Sequence, residues 1–223
     1  MAAAMGIGVG LSRSPTPVPR RPPDADPAIA LTGYPAPAKP LEGMDWFTVM
    51  RPDWIWVAVA VLGTGLYVAA VIRLHRRGDS WPCQRTTVWV IGWLLFLWAT
   101  SGAPGVYGKI EFSTHMFMHM MLTMGIPIFL SQAAPLTLAM RALPARHDKT
   151  LGPRELLLST AHSRWLNFFC NPVVASINFV GSLYVFYFTG LFELALRTHT
   201  GHVAMVIHFM LAGYVFCWSL IGI

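Results

Sequence analysis

Histidine and methionine recur along one short stretch of the sequence, "THMFMHMMLTM" at residues 114–124. In a helix, His115 and His119 are one turn apart, and Met118 lies on the same face. Imidazole nitrogen and thioether sulfur both bind copper, and methionine favours Cu(I). The spacing therefore predicts a copper site on this helix.

A second stretch, "HVAMVIH" at residues 202–208, repeats the same side chains at intervals of three. Residues spaced in this way form a stripe that turns around a helix by about 120° over the stretch. If both helices enter the membrane from the same side, His119 and His208 lie at nearly the same depth, about 10 Å below the outer surface. Ionisable side chains inside a bilayer are costly and mark functional sites. The predicted ligands of the resulting two-helix site are His115, Met118, His119, His202, Met205 and His208.

Other side chains near the two stretches are secondary candidates. They are Met116, Glu193 and His199. A carboxylate such as Glu193 can orient an imidazole that binds a metal. Met120, Met121 and Met124 are expected to pack in the core, because methionine is an adaptable filler of irregular gaps.

The same histidines leave haem open as an alternative cofactor. A b-type haem needs histidines on facing helices at equal depth, as His119 and His208 would be. Small residues at Gly201, Ala204 and Ala212 leave room for a porphyrin. Copper fits better, because it needs no such cavity and gives the methionines a role.

Motifs of common enzymes are missing from the sequence. It contains no Ser/His/Asp arrangement, Gly-rich phosphate loop, HExxH motif or paired carboxylates. We therefore predict a protein that is not an enzyme.

Composition places the chain in a membrane. Of its 223 residues, 55% are hydrophobic and 12% are charged, and that charged fraction is about half of what soluble domains carry. The net charge of +6 comes from residues in short loops between apolar runs, which is the pattern of the positive-inside rule. The predicted fold is an all-α, polytopic transmembrane bundle with lipid as its surroundings and no nucleic-acid partner.

Five apolar runs predict five transmembrane helices. They lie at about 54–72, 87–100, 112–140, 172–189 and 202–223. Trp54 and Trp56 are expected to form an interfacial belt. Pro127 predicts a kink or break in the third helix. Small residues that permit close helix packing are Gly63, Gly65, Gly181 and Gly213.

Loop charges predict the orientation. The loop after the first helix and the loop after the third are the basic ones. They contain Arg73, Arg76, Arg77 and Arg85, and Arg141, Arg146, Lys149, Arg154 and Arg164. Both loops should therefore face the cytoplasm, and the N-terminus should lie outside.

The distribution of proline divides the chain into two predicted regions. Residues 1–50 are rich in proline and alanine, which predicts a mostly disordered linker. Residues 51–223 form the predicted transmembrane domain, which we interpret as truncated because its last helix ends at Ile223 without a basic anchor. Cys83, Cys170 and Cys217 are too scattered for a disulfide framework or a zinc motif, and are expected to be structural.

Four segments resemble the CtaG family of cytochrome c oxidase assembly factors, which are linked to caa3-type oxidases. In order, they are "RPDWIWVAVAVLGTGLYVAAV", "THMFMHMMLTMGIPIFLSQAAPLTLAMRALP", "YFTGLFELALRTHTGH" and "HFMLAGYVFCWSLIGI". The resemblance covers about residue 44 to the end. It implies a fold of about seven helices, and in actinobacteria a fusion to a CopD-like copper-resistance domain.

The resemblance also implies a function. It indicates a bacterial, multi-pass plasma-membrane protein that helps to mature the oxidase, with oxidase subunits as partners and delivery of copper as the expected role. The ligand assignment rests on residue spacing alone. Two alternatives remain open: a copper transport or resistance protein, and a haem-binding redox protein.

Overall fold

The computed structural model describes residues 40–108, 111–144, 152–197 and 199–221, without the side chains of 193, 196, 197 and 199. Over these residues it contains helices and no strand, which confirms the predicted all-α fold. The helices are α1 (Asp45–Thr48), α2 (Trp54–Arg76), α3 (Cys83–Ser101), α4 (Ala103–Tyr107), α5 (Phe112–Met120), α6 (Ile126–Gln132), α7 (Pro135–Ala142), α8 (Pro153–Ala161), α9 (Arg164–Phe169), α10 (Pro172–Phe188), α11 (Leu191–Arg197) and α12 (His199–Ile221). A π-helical turn at Met121–Gly125 joins α5 to α6.

Three described helical segments are long and apolar enough to cross a membrane. They are α2, the stretch Phe112–Ala142, and α12 from Thr200 onward. The predicted fourth span corresponds to α10, an apolar helix of 17 residues. The predicted second span corresponds to α3, whose 19 residues include Gln84 and Arg85 in the first turn, and these lower its mean hydropathy. The orientation of the bundle stays a prediction.

Helix α12 lies at the centre of the packing. It contacts α6 and the π-helical turn on one side, and α10 and α11 on the other. Helix α3 packs against α2, α4 and α6, and α2 also contacts α7. A buried apolar cluster connects these helices and includes Phe96, Leu122, Ile126 and Phe209.

The π-helical turn lies directly before the proline that predicted a kink. The N–H of Ile126 donates to the carbonyl of Met121, five residues earlier. Pro127 has no N–H, so it cannot donate to the carbonyl of Thr123 as a residue in a regular helix would. That carbonyl faces Gly213 of α12, where a Cβ atom would overlap it. Gly213 therefore permits the close approach of α12 to this turn.

A second break, which the sequence did not predict, separates α6 from α7. Ala134 has φ +48°, in the left-handed region, and Pro135 begins α7. The hydroxyl of Tyr67 donates to the carbonyl of Ala133 at 2.9 Å and accepts from Trp81 Nε1 at 3.1 Å. These hydrogen bonds attach the break to α2 and to the segment before α3.

Aromatic residues at the start of α2 behave differently from one another. Trp54 is 75% exposed, as the predicted interfacial belt requires. Trp56 is buried and its ring contacts Phe96 edge-on at 5.5 Å, so the belt prediction is wrong for this residue. Successive tryptophans two positions apart point to different sides of a helix, which accounts for the difference.

Most of the predicted linker lies outside the described residues. Its last part contains α1, and Leu41 and Val49 on either side of that helix pack against α4. This part of residues 1–50 is therefore ordered against the helical domain.

The contact of Gly213 generates a prediction about stability. Gly213→Ala should destabilise the folded protein by about 1–3 kcal/mol, because the added methyl overlaps the Thr123 carbonyl and the helices must separate. The measurement is the unfolding free energy or midpoint of purified protein in detergent. Gly65→Ala is the matched control, since a Cβ atom added there would meet nothing within 4 Å, and it should be neutral or stabilising. Equal effects of the two substitutions would contradict the close contact.

Candidate metal site

The first predicted stretch forms most of α5 and of the π-helical turn, and its two histidines lie together on α5. The ring centroids of His115 and His119 are 4.5 Å apart, and the two side chains are 2% and 0% exposed. Their separation by one helical turn brings both imidazoles to the same face, as the spacing predicted. Both rings are therefore buried side by side in the bundle.

A backbone carbonyl fixes the first of these imidazoles. Nδ1 of His115 lies 2.9 Å from the carbonyl oxygen of Gly108, just after α4. Because a carbonyl can only accept, Nδ1 carries the proton and Nε2 of the neutral ring presents its lone pair. Nε2 is buried without a hydrogen-bond partner among the described residues. Histidines that bind metals typically donate their other ring N–H to a carbonyl or carboxylate in this way.

The second imidazole has no hydrogen bond within the described part of the chain. Both Nδ1 and Nε2 of His119 are buried without a partner there. The ring of Phe209 lies 4.9 Å away, and those of Phe186 and Tyr187 lie 6.0 Å away. Leaving a buried polar group without a partner costs free energy, so such groups in native proteins call for a specific explanation. A ligand that accepts imidazole nitrogen supplies one.

Two of the predicted methionine ligands are buried in the same region. Met118 is 1% exposed and Met205 is 3% exposed, and both belong to the apolar cluster around α12. A thioether needs no hydrogen bond in such surroundings, so its sulfur stays available to a soft metal ion. Their burial is thus compatible with packing and with binding.

Met116, a secondary candidate, has a different partner. The hydroxyl of Tyr187 on α10 donates to its sulfur at 3.1 Å. Met120 and Met124 are 44% and 42% exposed, so they are on the periphery of the bundle and not in the predicted core. Glu193 and His199 have side chains outside the described residues, and their assignment stays a prediction.

On α12, the structure separates the two predicted histidines. His202 interacts electrostatically with His119, and its Nε2 is shielded from solvent. His208 is exposed and faces a cleft between α10, α11 and α12. Phe209 takes the place beside His119 that was predicted for His208. At about 100° per residue, position 209 lies about 20° from 202, whereas 208 lies about 120° from it.

This rotation also affects the haem alternative. His119 and His208 were the pair predicted to face each other across a porphyrin. In the structure, Phe186 and Phe209 contact His119, and His208 lies on another side of α12. The pair is therefore not brought together.

Other common metal ligands do not complete a site among the described residues. No three His, Cys, Asp or Glu side chains there are grouped to hold a metal ion. Burial raises the pKa of the Cys170 thiol, which keeps it protonated at neutral pH and a poor ligand. A copper site in the described part of the chain therefore depends on methionine sulfur in addition to imidazole.

Two features of the site were missed by sequence reasoning. One is Gly108, whose carbonyl holds His115 and whose own missing side chain matters, since a Cβ there would lie 3.3 Å from the His115 Cα. The other is the aromatic shell, to which Phe192 also belongs with its ring 5.4 Å from that of His115. The periodicity of residues 202, 205 and 209 could have identified Phe209 as the inward-facing position.

Helices of this length and hydropathy indicate association with a membrane. The buried, partly unsatisfied histidines among them form a candidate metal site. A family model described as cytochrome c oxidase caa3 assembly factor (Caa3_CtaG) matches residues 65–223. The chain therefore belongs to the Caa3_CtaG family, as its motifs indicated.

Curated relatives come from mycobacteria and are much longer. An uncharacterized protein of Mycobacterium leprae is 45% identical over 193 residues, which are 86% of this chain and 29% of that protein. An uncharacterized protein of Mycobacterium bovis is 43% identical over 178 residues, which are 79% of this chain and 27% of that protein. The chain thus spans less than a third of the length of these relatives. No solved structure matches it.

The lack of partners for His119 makes a prediction about the metal-free protein. His119→Leu should leave its stability unchanged or raise it by about 1 kcal/mol, because an apolar side chain of similar size removes an unsatisfied polar group. His115→Leu is the contrasting variant and should destabilise, since it leaves the Gly108 carbonyl without its donor. Thermal unfolding of metal-free protein in detergent measures both. A marked loss of stability in His119→Leu would indicate a structural role for that imidazole.

Proposed function

We propose that this chain is the part of a cytochrome c oxidase assembly factor that holds Cu(I) within the membrane and passes it to the oxidase. The observation that carries the proposal is the buried Nε2 atom of His115, which has no hydrogen-bond partner among the described residues. The hydrogen bond from Nδ1 to the Gly108 carbonyl fixes the orientation of this ring. The second imidazole beside it, that of His119, also has no partner there. The family description supplies the oxidase as the target. Copper is the cargo of the protein in this proposal.

The chemistry of the donors supports Cu(I) as that cargo. Imidazole and thioether are neutral ligands, and thioether favours Cu(I) over harder ions. His115 and His119 would supply nitrogen, and Met118 or Met205 would supply sulfur. His202 lies within electrostatic range of His119 and can join or replace one of these ligands.

A carrier differs from an enzyme in what its residues must do. Here they bind the ion, exclude water and release the ion to another set of ligands, and no covalent bond of a substrate is changed. The proposed protein is therefore not an enzyme. Its proposed location is the bacterial plasma membrane as a multi-pass protein, with the site toward the outer face, where oxidase subunits and lipid are its partners.

Copper binding by variants tests the inner site. Purified metal-free protein in detergent should bind Cu(I), measured by competition with a Cu(I) chelator. The double variant His115→Ala/His119→Ala should bind much more weakly, by more than the roughly 10–100-fold that loss of an outer hydrogen bond causes at metal sites. His75→Ala/His162→Ala removes two exposed histidines, one in the last turn of α2 and one directly after α8, and is the matched control. Unchanged copper binding in the first double variant would remove this site from the proposal.

Oxidase maturation tests the role in the cell. A strain that lacks the full-length protein should lose cytochrome c oxidase activity and keep normal tolerance to copper, because delivery fails while bulk export is untouched. Full-length protein should restore activity, and the same protein with His115→Ala/His119→Ala should not. Loss of copper tolerance with normal oxidase activity would instead indicate a transport or resistance protein.

A further inference from the structure

The buried pair of histidines raises the question of how an ion reaches it. His115 and His119 are 2% and 0% exposed, and aromatic rings surround them. An ion cannot pass from solvent to these nitrogens unless other ligands replace its water on the way. A route should therefore place donor atoms at a cavity next to the pair.

A cleft of about 380 Å³ lies next to this pair, between α10, α11 and α12. Its lining is almost entirely apolar, and the side chains with metal-binding donor atoms are His208 and Met205 on α12. The remaining polar side chain, Ser182, donates its hydroxyl to the carbonyl of Phe179 at 2.9 Å. The donors of the cleft are thus one imidazole and one thioether, three residues apart on a helix.

One aromatic residue, Phe186, lies both at this cleft and beside the inner pair. Phe186 lines the cleft, and its ring centroid is 6.0 Å from that of His119. Met205 also lines the cleft and belongs to the buried cluster that contains Met118. The sulfur-bearing residue and the ring therefore connect the cleft with the inner histidines.

We propose that the cleft is a second, outer Cu(I) site and the loading route of the inner one. His208 and Met205 receive the ion in the cleft, and it passes beside Phe186 to His119 and His115. The transfer is a series of ligand exchanges: the bond from copper to the His208 imidazole breaks while Met205 holds the ion, and bonds to the imidazoles of His119 and His115 then form. The oxidation state of copper does not change. This inference rests on the proposed function, because it supplies the inner site with its cargo.

The rate at which Cu(I) enters the protein shows whether His208 belongs to the loading route or to the final binding site. Metal-free wild-type protein in detergent is mixed with a Cu(I)–chelator complex, and release of the free chelator is followed over time. His208→Ala should slow loading at least tenfold and leave the final occupancy of the inner site unchanged. His208→Met keeps a soft donor in the cleft and should restore the wild-type rate. Ile207→Ala, on an exposed face of the same helix, is the matched control and should load like the wild type.

Two variants test the cleft and its wall separately from its ligand. Ala204→Phe fills the cleft while keeping His208, and should slow loading as well. Phe186→Leu thins the wall and should speed both loading and release severalfold while the protein remains folded. A melting curve of each variant before mixing shows that it is folded.

The outcomes separate this inference from the proposal on which it depends. If wild-type protein binds Cu(I) and folded His208→Ala and Ala204→Phe both load at its rate, the route is overturned and the inner site stands. If the final occupancy falls in His208→Ala, this histidine belongs to the inner site and the two-site arrangement is overturned. If wild-type protein takes up no Cu(I), the proposed function itself fails.

Discussion

The contact between Gly213 of α12 and the carbonyl of Thr123 sets the distance between the two helical segments that carry the candidate ligands. It exists because Pro127 cannot donate to that carbonyl, and because glycine leaves the space into which the carbonyl projects. The π-helical turn before the proline adds a residue to the helical ladder, and so alters the rotation of α5 relative to α6. Phe209 lies one turn before Gly213, and His119 lies one turn before Thr123, so the contact brings Phe209 to the side of α12 that faces His119.

Helix positions followed from the sequence, whereas rotation did not. Apolar runs placed α2, the stretch Phe112–Ala142 and α12 to within a few residues, because span length is fixed by the bilayer and composition alone reports it. The i,i+4 spacing of His115 and His119 was sufficient to put them on one face, because they belong to the same helix. Matching His208 to His119 required the rotation of one helix against another. Depth along the helix does not report that rotation and gave the wrong neighbour, although the spacing of residues 202, 205 and 209 indicates Phe209 as the inward-facing position.

His115 and His119 differ in whether a hydrogen bond offsets the free-energy cost of burying the imidazole. His115 is held by a backbone carbonyl, so its orientation is fixed without any ligand. His119 has only ring contacts among the described residues, so its burial costs free energy that no partner there offsets. A bundle selected only for stability would place an apolar residue at 119. An imidazole at this position is typical of sites where function opposes stability. In the proposed site, one fixed imidazole beside one that is not fixed would allow a bound ion to be exchanged.

The charge of the site bears on how tightly it can hold an ion. The side chains in ring contact with the histidine pair are Phe186, Tyr187, Phe192 and Phe209, and none of them carries a negative charge. A monovalent ion with neutral ligands keeps its full charge in a medium of low dielectric constant, where an uncompensated charge is costly. A divalent ion would be far more costly, because the solvation term grows with the square of the charge. Under the proposed function, the apolar shell would therefore favour Cu(I) and also limit its affinity, and a carrier that must release its cargo to a recipient requires that limit.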